Sequence, residues 1–310
     1  MRIGIDAMGG DFAPEECIKG VLEESSINSE DSFVVYGEEE ALKPYLASLN
    51  KAGIEQVFTG GSIGMGDNAT KAVVAKKDSS INVGSMHLAN DEIDAFASAG
   101  NTGAMMVSAL YHIKTIDQIG RPALTTVLPQ RSGITGVLLD VGANADVKPE
   151  TLMRFAILGN EYAKAVYGID NPRVGLLSIG EEKEKGNLLT KAAYPLLDGM
   201  PQINFIGNVE GRDLFNDLAD VVVCDGFTGN IVVKTCEGFF YNLLKRGVQD
   251  DFLNRFNFEN YGGSAILGIK KPVIVGHGIS KANTIRNMIK LAKNVVDSNL
   301  ISKIESSFDK

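Results

Sequence analysis

Ser98-Ala-Gly-Asn-Thr-Gly103 leaves a short apolar run and opens a helical one, Ala104–His112. The first N–H groups of a helix have no internal partner and lie at the positive end of its dipole, so such a turn suits a small anion. Gly100 and Gly103 let a ligand approach the backbone, while Ser98, Asn101 and Thr102 bring polar side chains. The motif is neither a Walker loop, since no Gly-Lys-Ser/Thr follows, nor Gly-x-Gly-x-x-Gly; it points to a small phosphate rather than a nucleotide. Asp6-Ala-Met-Gly-Gly-Asp11 ends another apolar run and offers Asp6, Gly9, Gly10 and Asp11 to the same ligand.

Four further turns carry chemistry of the kind that stabilises a developing negative charge. Lys185 lies in Gly180-Glu-Glu-Lys-Glu-Lys-Gly186, where Gly186 is expected to admit a ligand; a plain solvated loop is the alternative. Asp225-Gly-Phe-Thr-Gly-Asn230 precedes the helical run Ile231–Arg246, so Asp225 and Asn230 are placed to hold an anion or a carbonyl oxygen, unless Asn230 simply caps the helix. Arg212, in Gly207-Asn-Val-Glu-Gly-Arg212, presents a fork that suits phosphate, with a structural pair to Glu210 as the alternative. His277 is flanked by Gly276 and Gly278 and is accessible, although a lone histidine is more often structural. Asn144 closes a fifth turn, Asp140-Val-Gly-Ala-Asn144.

These turns follow strands. Ile3–Asp6, Phe33–Tyr36, Gln56–Thr59, Ala95–Ser98, Gly136–Val141, Val174–Ile179, Asn204–Ile206, Val221–Cys224 and Val273–Val275 read as strands, separated by amphipathic stretches such as Pro149–Tyr167 and Ala282–Val296. That alternation predicts an α/β fold with a doubly wound, mostly parallel sheet, whose ligands bind beyond the carboxyl ends of the strands. The 310 residues are read as one catalytic unit of two closely joined lobes, with residues 236–262 as a helical excursion; Asn242–Gly263 is the least regular stretch of the chain.

A net charge of −9 argues against a nucleic-acid partner. Cys17, Cys224 and Cys236 show no CxxC spacing and there are three histidines, so no metal site is expected and the thiols read as reduced and buried. The start, MRIGIDAMGG, has no apolar signal core and no apolar run approaches a membrane span, which predicts a cytoplasmic protein that touches membranes peripherally at most.

Taken in order and spacing, Asp6–Asp11 with Pro14, Ser98–Gly103, Arg121-Pro122, Asp140–Asn144, Gly207–Arg212, Asp225–Asn230, Tyr261-Gly-Gly263 and Gly276-His-Gly278 resemble the bacterial phosphate acyltransferases of phospholipid synthesis. The resemblance covers nearly the whole chain. It implies an isocitrate/isopropylmalate dehydrogenase-like fold and transfer of a fatty acyl group from acyl carrier protein to inorganic phosphate, without a cofactor. It also implies a homodimer whose acyl phosphate passes to a membrane-bound glycerol-3-phosphate acyltransferase. Three positions depart from the pattern: Phe12 stands where many members carry His, Ser264-Ala-Ile-Leu267 where Ala-Pro-Leu-Leu is usual, and Ile279 where Ser is common. Two other functions are weighed: a metal- and nicotinamide-dependent dehydrogenase, which would need clustered Asp ligands and more Arg, and a non-catalytic lipid or acyl-carrier binding module.

Two surfaces are expected to meet partners. On a helix from Ala282 to Val296, Arg286, Lys290 and Lys293 share an arc beside the apolar face and suit an acidic carrier protein; an ordinary solvated face is the alternative. Cys236, Phe239, Phe240, Leu243 and Leu244 form an apolar helix face suited to a second copy of the chain. Phe252, Phe256, Phe258 and Arg255 are placed to meet a lipid surface.

Overall fold

In the computed structural model, which describes residues 1–28 and 30–308, eleven strands form among the described residues. They are β1 (Arg2–Asp6), β2 (Ser32–Glu38), β3 (Glu55–Thr59), β4 (Ala95–Ser98), β5 (Ala123–Pro129), β6 (Thr135–Leu139), β7 (Arg173–Ser178), β8 (Asn204–Glu210), β9 (Val221–Val223), β10 (Ser264–Leu267) and β11 (Val273–Val275). The chain divides into two units, Met1–Thr115 with Phe258–Asp297, and Ile116–Asn257 with the segment from Ser298 on.

In the first unit the strand order is β3-β2-β1-β4-β11-β10. Every pair is parallel except the β10–β11 hairpin. Ile3, Ile5, Val35, Tyr36, Phe96 and Ile274 are buried on these strands, whose near-continuous apolar runs are those of a sheet covered on both faces. Helix Glu15–Ile27 packs on helix Ala282–Asp297, and Ser80–Ala89 on Thr102–His112, giving two helical layers against β1 and β4 and their neighbours.

The second unit has the order β5-β6-β9-β7-β8. It is again parallel apart from one hairpin, β5–β6. Its core holds Leu138, Leu139, Leu176 and Val222, with Phe155 and Leu158 from helix Pro149–Tyr167. Helix Pro149–Tyr167 ends on Gly168 in the left-handed conformation (φ 69°), which supplies the terminus that the sequence predicts there.

Both strands that sequence periodicity does not find, β5 and β10, are the antiparallel partners. A parallel strand is flagged by the helix that returns the chain, whereas a hairpin strand has no such flag. The segment 236–262 is divided between the units, because the boundary falls after Asn257. It comprises the end of helix Gly226–Lys245, a short helix Asp251–Asn254 and a single 3-10 turn at Phe258–Asn260.

Candidate functional site

In the first unit, three of the expected turns meet beyond the carboxyl ends of adjacent strands β1, β4 and β11. The Asp11 amide donates to the Gly278 carbonyl at 2.7 Å and the Gly276 amide to the Ser98 carbonyl at 2.8 Å. Gly9 lies so close to the neighbouring turn that a Cβ would sit 2.5 Å from the Gly100 nitrogen, so this position requires glycine on packing grounds.

Asp6 lies beneath these turns, 2% exposed. The Met8 amide donates to its Oδ1 at 2.9 Å, and the Ser98 hydroxyl to its Oδ2 at 2.6 Å. Ser98 Oγ in turn accepts the Gly100 amide at 2.9 Å. Burial pushes the Asp6 carboxyl above the usual carboxylate range, against the lowering effect of the Ser98 hydrogen bond. Asp6 and Ser98 therefore fix the shape of the turn from below rather than face a ligand.

Asn101 does likewise. It caps helix Thr102–His112 by accepting the Ala104 amide at 3.0 Å, and its Nδ2 lies 3.2, 3.2 and 3.0 Å from the carbonyls of Gly64, Met65 and Asp67. Its side chain is 8% exposed and committed on both ends, so it is a cap and strap, not the open donor that sequence alone suggests. What remains open at the helix start is backbone: Thr102 and Gly103 are exposed, occupy the first two helical positions and have no intrahelical acceptor for their amides. Asp11 is exposed in the same set of turns, next to Gly278. The His277 ring stacks on Phe258, centroids 4.5 Å apart.

In the second unit a similar construction surrounds Asp140, which sequence reasoning passed over as a site residue. It directly follows β6, is fully buried, and accepts the amides of Leu124 (3.1 Å), Ala143 (3.0 Å) and Asn144 (2.7 Å). Asn144 Nδ2 adds a fourth donor at 2.9 Å and also reaches the Pro122 carbonyl at 2.7 Å, so this side chain organises the turn. Burial raises the Asp140 carboxyl as well. The signal in the sequence was an aspartate directly after an apolar strand and two residues before Gly142.

Helix Gly226–Lys245 starts five residues earlier than the sequence suggests. Asp225, not Asn230, is its cap: it accepts the Thr228 amide and hydroxyl, each at 2.8 Å. The two glycines that look like loop residues are helical because the helix start lies directly on the Asp140 turn. A Cβ on Gly229 would sit 1.9 Å from the Asp140 carbonyl oxygen. Asn230 is thereby left exposed within the helix, its side chain facing Gly142. Lys185 is exposed on its loop and no ion pair forms at its ammonium among the described residues, whereas Lys183 pairs with Asp198 at 3.3 Å. Gly186, expected to admit a ligand, instead satisfies a local constraint: its φ is +119° and a Cβ would strike Thr190 Oγ1.

Several expectations are corrected. Arg212 is held by Glu210 at 2.8 Å, Glu181 at 3.4 Å and Asp213 at 3.8 Å, which makes it the structural pair rather than an open phosphate fork. Arg286 lies 3.7 Å from Glu23 and 3.5 Å from Glu24, and Lys293 is 2.6 Å from Asp31. The predicted carrier-docking stripe is thus largely neutralised by the helix it packs on and by Asp31 just before β2, leaving Lys290 exposed. Arg255 donates to the Gln130 and Ile134 carbonyls, and Phe256 makes edge contacts with both Phe252 and Phe215, so these residues are held against the protein's own surface and only half-exposed. On the apolar face of the preceding helix, Phe240 is buried while Phe239 and Leu244 stay exposed. The thiols of Cys17, Cys224 and Cys236 are all pushed up, in each case first by burial, and Cys236 is the half-buried one.

Over residues 1–303 the chain matches the profile of a family described as "Fatty acid synthesis protein". It is 44% identical to the phosphate acyltransferase of Thermoanaerobacterium thermosaccharolyticum, across 100% of this chain and 97% of that one. It is 43% identical to the phosphate acyltransferase of Halothermothrix orenii, across 100% and 99%. Among solved structures it resembles a phosphotransacetylase from Streptococcus pyogenes (TM-score 0.65, 19% identity, 95% of this chain and 94% of that one). It also resembles a branched-chain phosphotransacylase from Enterococcus faecalis V583 (TM-score 0.65, 17% identity, 96% and 99%). A protein described as a 4-hydroxythreonine-4-phosphate dehydrogenase, from Salmonella typhimurium, follows (TM-score 0.57, 14% identity, 95% and 99%). These structures carry the fold alone, and it is the α/β, dehydrogenase-related arrangement that the sequence predicts. The extent and identity of the matches place the chain in the phosphate acyltransferase family, whose members are acyltransferases of lipid synthesis.

Proposed function

We propose that the protein transfers a fatty acyl group from acyl-[acyl carrier protein] to inorganic phosphate, releasing acyl phosphate and the free carrier thiol. The observation that carries this reading is the pair of open amides at Thr102 and Gly103, at the start of an eleven-residue helix whose third amide is already taken by Asn101. Such a site suits a tetrahedral dianion.

Near neutral pH a large share of phosphate is dianionic, its second ionisation lying at about 6 to 7 by analogy with phosphoesters, so its oxygen needs little help from a general base. That oxygen forms a bond to the thioester carbonyl carbon, the carbonyl oxygen becomes negative, and collapse breaks the C–S bond. The thiolate leaves and is protonated through water, which takes up in exchange the proton that the phosphate loses on becoming the acyl phosphate dianion. The protein's part is positioning and charge stabilisation. No cysteine is suited to carry the acyl group, because the nucleophile would be a thiolate and all three thiols are raised. Lys185 and Asn230 are given the developing oxyanion, Lys185 being an exposed donor on the loop after β7 and Asn230 an exposed donor in the first turns of the helix that follows β9.

The wider reading keeps a homodimer, with the exposed Phe239 and Leu244 of helix Gly226–Lys245 covered by a second copy, and peripheral membrane contact for delivery to a membrane-bound glycerol-3-phosphate acyltransferase. No helix among the described residues is long and apolar enough to cross a membrane. The test is to incubate purified protein with acyl carrier protein thioester, titrate free thiol, and trap acyl phosphate with hydroxylamine. Thiol and hydroxamate should appear together and only when phosphate is added. Thiol release independent of phosphate would make the protein a thioesterase and overturn the reading.

A further inference from the structure

The phosphate cradle of the first unit has an apolar rim. Phe12, Met65 and Ile279 are 44%, 44% and 43% exposed, although burying large apolar side chains is favourable and most of their kind in this chain are covered. They stand on segments that touch one another. Phe12 follows Asp11, whose amide donates to the Gly278 carbonyl at 2.7 Å, and Ile279 follows that same Gly278. The terminal methyl of Met65 lies over Gly278, where a Cβ would meet it at 2.7 Å. The Met65 carbonyl accepts from Asn101 Nδ2 at 3.2 Å, so the residue that caps the phosphate-binding helix also holds the Met65 backbone. Three segments far apart in sequence thus bring large apolar groups around one glycine at the edge of the cradle and leave them partly in water.

We propose that Phe12, Met65 and Ile279 form an apolar collar that binds the first methylenes of the acyl chain, those next to the thioester carbonyl. This rests on the acyl-transfer reading: the attacking phosphate oxygen must reach bonding distance of the carbonyl carbon, so the chain has to begin at the cradle's edge. The collar selects acyl groups that have methylenes to place there and disfavours acetyl. It is blind to what lies further along the chain.

The test compares acetyl, butyryl and hexadecanoyl carrier-protein thioesters as donors for wild type, Phe12→Ser, Met65→Ser and the conservative Met65→Leu. It is joined to photolabelling of wild type with a thioether analogue bearing a diazirine at acyl carbon 3. In the serine variants kcat/KM for butyryl and hexadecanoyl should fall together, on the order of tenfold relative to acetyl, with the KM for phosphate unmoved and Met65→Leu restoring the preference. Label should appear on Phe12, Met65 or Ile279. A loss confined to hexadecanoyl, a rise in phosphate KM, or label found only elsewhere would overturn the collar. If wild type released no thiol with phosphate, the acyl-transfer reading would fail by itself, and the labelling would still decide whether the collar takes an acyl chain.

Discussion

Asp6 ends β1 in the first unit, and Asp140 follows β6 in the second. Each carboxyl is buried and raised, each accepts at least one amide from its own turn, and each backbone carbonyl receives a buried thiol: Cys17 Sγ at 3.4 Å from the Asp6 oxygen, Cys224 Sγ at 3.5 Å from that of Asp140. Asp6 lies against the turn at Gly100 that leads into helix Thr102–His112, and Asp140 against the start of helix Gly226–Lys245 itself. The difference is in what is left open. Asp6 reaches through Ser98 to Gly100 and shapes a turn whose next amides, on Thr102 and Gly103, stay exposed. Asp140 is surrounded by three amides and Asn144, and among the exposed polar side chains near the carboxyl ends of its unit's strands are Lys185 on its loop and Asn230 on the helix that starts there. One unit offers backbone amides and the other offers side chains.

Side-chain truncation should therefore separate the two. Lys185→Ala and Asn230→Ala should each lower kcat on the order of a hundredfold with the fold intact by circular dichroism, the scale of losing one oxyanion donor. Near-normal turnover in both would remove the second unit's side chains from the chemistry.

Glycine substitution sharpens the contrast. Gly9→Ala forces the Asp6 and Ser98 turns apart and should raise the phosphate KM about tenfold or more, beside a stability cost of about 1–3 kcal/mol. Gly229→Ala places a methyl against the Asp140 carbonyl and should cost about 1–3 kcal/mol of stability. At this size that is a fall of roughly 2–4 °C per kcal/mol, seen by calorimetry. Equal effects of both on stability alone would mean that the first turn is only structural.

The smallest effect is on pH dependence. A carboxyl whose folded pKa is raised above the ordinary 3.8 binds more protons folded than unfolded, so Asp6 and Asp140 subtract from stability as pH rises from 3.8 through their folded values. Asp220 runs the other way. Burial alone would raise it, but the Arg173 fork outweighs that and holds it low, so its contribution is present above 3.8 and lost as pH falls through its folded value. Urea midpoints measured from pH 4 to 7 should decline less steeply in Asp6→Asn and Asp140→Asn than in wild type. An unchanged slope would show that neither carboxyl is raised.

Much of this construction can be read from residues, and the parts that cannot share a cause. The parallel strands, the helix Pro149–Tyr167 and the turns at strand ends are local patterns, and they stand where sequence places them. Asn101 has the right type for a ligand, yet its amide is claimed by carbonyls 34 to 37 residues away. Arg286 and Lys293 look like a free basic stripe, but Glu23, Glu24 and Asp31 come from the other end of the chain, Asp31 lying 262 residues before Lys293. Gly226 and Gly229 look like loop and are helix, because the Asp140 turn beneath them leaves no room for a Cβ. In each case tertiary partners decide the role, and periodicity carries no information about them.

The central claim is that phosphate is held by main-chain amides at the start of helix Thr102–His112. It can be tested by deleting one amide. Proline is tolerated at the first helical position, and Asn101 before it is already extended (φ −60°, ψ 109°), as a residue preceding proline should be. Thr102→Pro removes the N–H and the hydroxyl, whereas Thr102→Ala removes only the hydroxyl. In initial-rate assays of thiol release against phosphate concentration, Thr102→Pro should raise the phosphate KM about tenfold above that of Thr102→Ala, with the acyl-donor KM the same in both. Indistinguishable phosphate curves for the two variants would contradict the account.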